Sequence, residues 1–122
     1  MTENIKIAFQ GENGAYSHLA CLEVFPNRET VACSTFEEAF QFAKENSENK
    51  IIIPIENSLV GRVADIHYLI PKYKLQIHAE HFHSVKHNLL GVKGSKLKDI
   101  KTVRSHSQAI GQCRKLITEN NF

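Results

Sequence analysis

At 122 residues the chain is long enough for one compact domain of typical size, and its 42% hydrophobic and 23% charged content is ordinary for a globular protein. A net charge of +2, with lysines and acids interspersed, argues against a nucleic-acid partner. No apolar run approaches the ~20 residues needed to cross a bilayer, which argues against a membrane partner.

Cys21, Cys33 and Cys113 are widely spaced, odd in number and without a CxxC pair. The stretch 1–6 is polar and lacks the apolar core of a secretory signal. Reduced cysteines in a cytoplasmic protein are the simplest expectation. The lysines at 93–101 read as a solvated loop.

In chain order, residues 5–9 predict a short strand broken by the turn 10–14. A helix follows, with Ala15, Leu19, Leu22 and Phe25 on one side, ending before Pro26. Residues 30–33 form a second strand candidate. Thr35 and Glu38 have capping-box spacing and open a helix whose buried stripe is Phe36, Ala39, Phe40 and Ala43. The apolar run 50–53, bounded by Pro54, predicts a buried strand, with Glu56, Asn57 and Ser58 as a polar turn after it. Gly61 precedes a helix carrying Val63, Ile66 and Ile70 that Pro71 is expected to close. Strands are predicted at 75–79, from alternation, and at 85–92 and 101–104. A last helix gathers Ala109, Ile110, Cys113, Leu116 and Ile117 on one face. Strand–helix alternation indicates an α/β fold with a mainly parallel sheet.

Three polar segments, 11–17, 56–61 and 105–112, each follow a predicted strand. Ligands of open α/β sheets bind beyond the carboxyl ends of strands, where helix N-termini offer N–H groups and partial positive charge. Gly14, Ala15, Tyr16 and Ser17 at one helix start, and Ser105, His106 and Ser107 at another, suit a small anion. Each segment also has a plain structural reading: a tight glycine turn, an Asx-type turn at Glu56–Asn57, a helix cap at Ser105 and a surface glutamine at Gln112. His78, His81, His83 and His87 cluster in sequence, and His81 and His83 share a face of an extended segment. No cysteine or carboxylate stands at a recognised ligand spacing from them, so no metal site is expected.

Taken together, the segments are far more specific. Residues 7–17, IAFQGENGAYS, resemble the opening of prephenate dehydratases, a strand running into a G-x-x-G-x-Y-S turn. Residues 53–63 resemble that family's PIENS-x-x-G-x-V motif, and 104–113, RSHSQAIGQC, its SHPQA-x-x-QC motif with Ser107 in place of proline. His87-Asn88-Leu89-Leu90 matches an H-x-L-L pattern. The resemblance covers essentially the whole chain and implies a two-lobed α/β fold like type II periplasmic binding proteins, with prephenate held in the cleft. On this chain the first lobe would span about 1–80 and the start of an incomplete second lobe about 81–122.

The resemblance also implies a carbon–oxygen lyase that makes phenylpyruvate for phenylalanine biosynthesis, without metal or organic cofactor. Carried over by motif, Glu56, Asn57, Ser105 and Gln112 are the catalytic candidates. Gly14, Ala15, Tyr16, Ser17, Ser58 and His106 are the substrate-binding ones. Glu56 stays open between catalysis and orienting its turn by hydrogen bonds. The family's Thr-Arg-Phe segment, which holds its proton donor, and its ACT domain lie outside this sequence. The chain by itself is therefore expected to be a poor catalyst, and to self-associate through Ile110, Cys113 and Leu116. The other reading is an inactive piece, or a non-enzymatic module binding a small aromatic acid on the same fold.

Overall fold

A computed structural model describes residues 5–58 and 61–122. The first four residues of the polar start, and the two variable positions of the 53–63 motif, lie outside the described residues. The chain divides into two compact units, Met1–Ser84 and Val85–Phe122.

The first unit is built around β1 (Lys6–Gln10), which runs parallel to β2 (Glu29–Cys33) on one side and β3 (Lys50–Ile51) on the other. Strand alternation sends Ile7 and Phe9 to one face of the sheet and Ala8 to the other, and all three are fully buried. Helix α1 (Tyr16–Val24) covers the first face, where Cys21 meets Ile7 and Phe9, with Ile5, Phe25 and Ile52 around them. Helix α2 (Phe36–Glu45) covers the second, where Ala39 packs on Ala8 and Cys33. Helix α3 (Ala64–Tyr73) adds Ile66 and Leu69 against Phe40.

The helices follow the sequence pattern with instructive departures. α1 does stop before Pro26, but its buried residues are Ala20 and Cys21, while Leu19 and Leu22 are exposed. Small side chains let the helix lie close on the sheet, and that proximity outranks the leucine stripe. α2 is capped as expected: the Thr35 hydroxyl accepts the Glu38 amide at 3.1 Å, and the Glu38 carboxylate reaches one residue further back, to the Ser34 N–H at 2.8 Å.

α3 is not closed by Pro71. Proline in the last turn costs few intrahelical bonds, so the helix runs on to Tyr73 and ends at Lys74, which is left-handed at φ 54°. The Leu75 amide then bonds back to the Ile70 carbonyl at 3.2 Å, the six-to-one bond of a Schellman ending.

Glu56–Asn57 is a two-residue strand, β4, rather than a turn, and pairs antiparallel with β5 (Gly61–Arg62). Gly61 has φ 90°, a conformation that disfavours any side chain.

The predicted strands at 75–79, 85–92 and 101–104 are not strands in the structure. Alternation makes backbone extended, but a strand also needs a ladder partner, and none pairs with them among the described residues. The second unit instead holds a 3₁₀ turn (Leu97–Asp99), α4 (Ser107–Gln112) and α5 (Arg114–Glu119). The single last helix expected from periodicity is thus two, parted at Cys113, with helix-disfavouring Gly111 just before the break.

Two outcomes follow from this core. Phe40→Ala should lower unfolding free energy by about 3–5 kcal/mol in urea titrations, whereas Phe82→Ala, at an 86% exposed position, should stay within about 0.5 kcal/mol. Burial also pushes the Cys21 thiol up to about 11. The folded state therefore keeps its proton where the unfolded state loses it, and stability should fall as pH rises from about 9 to about 11. Urea midpoints across that range should fall less steeply for Cys21→Ala than for the parent protein.

Candidate functional site

The strand order β2-β1-β3 makes β1 the point where successive connections leave in opposite directions. α1 lies on one face of the sheet and α2 on the other, so the carboxyl ends of β1 and β3 face the crevice that such sheets use for ligands. The turn 11–15 follows β1, and the segment leading to Glu56 and Asn57 follows β3. Parallel neighbours end at the same edge, so two of the three predicted polar segments are brought to one edge of the first unit.

The first segment is held from within. Gly14, at φ 90°, donates its N–H to His18 Nδ1 at 2.8 Å. That bond leaves the proton on Nε2, which lies 3.3 Å from the Thr30 hydroxyl on β2. The ring stacks on Phe9 with centroids 5.1 Å apart. His18, one turn along α1, was not among the predicted site residues; its four-residue spacing from Gly14 is the only sequence signal. The Ala15 amide is also engaged, by the Glu12 carbonyl at 3.1 Å. Gly14 and Ala15 thus use their amides in shaping the turn. Ser17, half-buried at the second helical position, has an N–H with no acceptor inside its helix.

In the second segment, Glu56 is exposed and Asn57 half-buried, with Ser58 exposed just beyond. Glu56 and Arg62 are direct partners across the β4–β5 ladder, so opposite charges stand on adjoining strands.

The second unit has its own motif residues in contact. His87 Nε2 donates to Gln112 Oε1 at 2.7 Å, joining the H-x-L-L segment to the end of α4. This turns the amide's donor end away from His87. His87 was not a predicted site residue. His106, not Ser105, caps α4: its Nδ1 accepts the Gln108 amide at 3.2 Å. Ser105 is exposed and sits just before the cap, and Ser107 is the first helical residue.

A shallow hollow of about 480 Å³ on α2 is lined by Glu37, Glu38 and Glu45, among others, and by Cys33. Its acidic wall repels a carboxylate ligand. Burial, and then the Glu38 charge, push the Cys33 thiol up, so it is no nucleophile. No helix among the described residues is long and apolar enough to cross a membrane.

Residues 7–122 match the family model described as prephenate dehydratase. The chain is 44% identical over 113 residues to a bifunctional N-acyl-homoserine lactone acylase/prephenate dehydratase of Komagataeibacter europaeus, covering 93% of this chain and 40% of that protein. It is 47% identical over 109 residues to arogenate dehydratase/prephenate dehydratase 1 of Arabidopsis thaliana, a chloroplastic protein, covering 89% of this chain and 28% of the relative. Among solved structures, GqqA, described as a novel type of quorum quenching acylase, aligns with a TM-score of 0.79 at 43% identity, over 96% of this chain and 43% of that one. The chain therefore spans less than half the length of each of these proteins. With motifs, topology and a match across nearly all its residues in agreement, the chain belongs to the prephenate dehydratase family, a lyase family of aromatic amino-acid biosynthesis.

Proposed function

We propose that the intact protein converts prephenate to phenylpyruvate, with loss of CO2 and water. The observation that supports this reading is the strand order β2-β1-β3: β1 and β3 end at one edge of the sheet, β1 runs into the Gly11–Ser17 turn, and the chain beyond β3 leads on to Glu56–Ser58. The reading keeps, for the intact protein, the two-lobed architecture that the resemblance implies, and a reducing, cytoplasmic setting that suits three unpaired cysteines.

In the reaction, the bond from the ring to its carboxylate breaks and its electron pair enters the ring. The hydroxyl across the ring departs as water after taking a proton, and aromaticity drives the step. The protein's tasks are to hold two carboxylates, orient the ring and deliver one proton. The Ser17 amide, Asn57, Ser105 and Gln112 are neutral donors suited to carboxylate oxygens. Tyr16, Ser58 and His106 are assigned to substrate binding. The Gly14–Ala15 turn acts by shape. Glu56 is assigned an orienting part, because a bare carboxylate would repel an anionic substrate. The chemical step calls on no metal or organic cofactor.

A second reading rests on the acylase activity named for two of the similar proteins: hydrolysis of the amide bond of an N-acyl-homoserine lactone. One set of assays separates the readings. The intact protein is given prephenate, arogenate and an N-acyl-homoserine lactone, and phenylpyruvate, phenylalanine and free acid are measured. Prephenate should be turned over, and Asn57→Ala and Gln112→Ala should each lower kcat by roughly 10²-fold. Turnover of the lactone alone, or full prephenate activity in both variants, would refute the dehydratase assignment.

A further inference from the structure

The expectation of no metal rests on ligand spacing along the chain, and the fold supplies what that spacing lacks. Glu23, near the end of α1, lies against His81 and His83. His81 Nε2 is 2.6 Å from Glu23 Oε2, and His83 Nδ1 is 3.1 Å from Glu23 Oε1. One ligand atom from each of the three residues falls within 4.8 Å of the other two. We propose that Glu23, His81 and His83 form a binding site for a divalent transition ion, zinc by preference, that fastens the 81–83 segment to α1.

Geometry and donor chemistry both support this. Zinc takes imidazole nitrogen at ~2.0–2.1 Å and carboxylate oxygen at ~2.0–2.2 Å, so tetrahedral ligand atoms sit roughly 3.4 Å apart. The present contacts reach that spacing by small side-chain rotations. Two imidazoles and one carboxylate are a recognised zinc set that leaves a fourth position for water, and they exclude magnesium, which prefers oxygen ligands. The arrangement is also partly preformed. Both imidazoles already reach the one Glu23 carboxylate, and the His83 ring, only 18% exposed, rests on Tyr16 with centroids 5.6 Å apart.

The ion would be structural. Tyr16 begins α1 at the glycine turn and Glu23 lies near its end, so the site braces the helix that carries the first motif segment. The proposal does not depend on which reaction the protein catalyses.

The test is calorimetric titration of zinc chloride into the chelator-stripped intact protein, with cobalt(II) absorption as a spectroscopic readout of coordination. One saturable equivalent of zinc is expected, with no competition from magnesium. Affinity should fall at least about tenfold in Glu23→Gln and in His83→Ala, and stay unchanged in His67→Ala and His78→Ala. Zinc should raise the melting temperature of the parent but not of Glu23→Gln, an isosteric change at an exposed position. Absence of saturable binding, or binding of parental strength in Glu23→Gln and His83→Ala, would overturn the proposal and leave the three side chains as an ion-pair cluster.

Discussion

Burial of β1 on both faces is the constraint on which the first unit depends. Ile7, Ala8 and Phe9 are successive and all fully buried, so each needs apolar cover on its own side. Burying Ile7 and Phe9 stabilises by about 1.5–3 kcal/mol each. Ala8 contributes differently: with Ala39 and Cys33 it makes a patch of small residues on which α2 can lie close. A strand buried in this way cannot be an edge, so β2 and β3 must flank it, and α1 and α2 must lie on opposite faces. The crevice edge, and the two motif segments that open on it, follow from that arrangement.

This also explains which parts of the fold were legible. β1, β2, α1 and α2 are local: a short apolar run marks β1, Pro26 bounds α1, a cap and a periodic stripe define α2, and their partners lie within one connection. The end of α3 was misplaced because proline in a last turn is cheap, and the left-handed Lys74 that ends the helix carries no glycine signal. The three extended segments beyond residue 75 were misjudged for another reason. Alternation reports that one face is apolar, not that a neighbouring strand exists to bond with, and pairing is a property of two segments.

The candidate site was legible as motifs rather than as contacts. Glu56, Asn57, Ser105 and Gln112 stand out because their neighbours in sequence resemble a family, whereas nothing in the sequence joins His87 to Gln112, 25 residues apart. His18 and Glu23 were missed because they act across the fold, on Gly14 and Thr30 in one case and on His81 and His83 in the other. Histidine does much of this work. Its two nitrogens let a single ring at His18 tie a turn to a strand, and at His106 cap a helix where Ser105 was the expected residue.

The claim that β1 holds this arrangement together is tested most directly by hydrogen exchange of backbone amides in the native protein, followed as urea is raised. If β1 is the shared wall of both faces, the amides bonded along its ladders with β2 and β3 should open only with global unfolding and be among the slowest to exchange. Amides of the stretch 76–84, which has no ladder partner among the described residues, should exchange by local opening with little urea dependence. Exchange of the β1 amides as fast as that stretch, and equally insensitive to urea, would contradict the account.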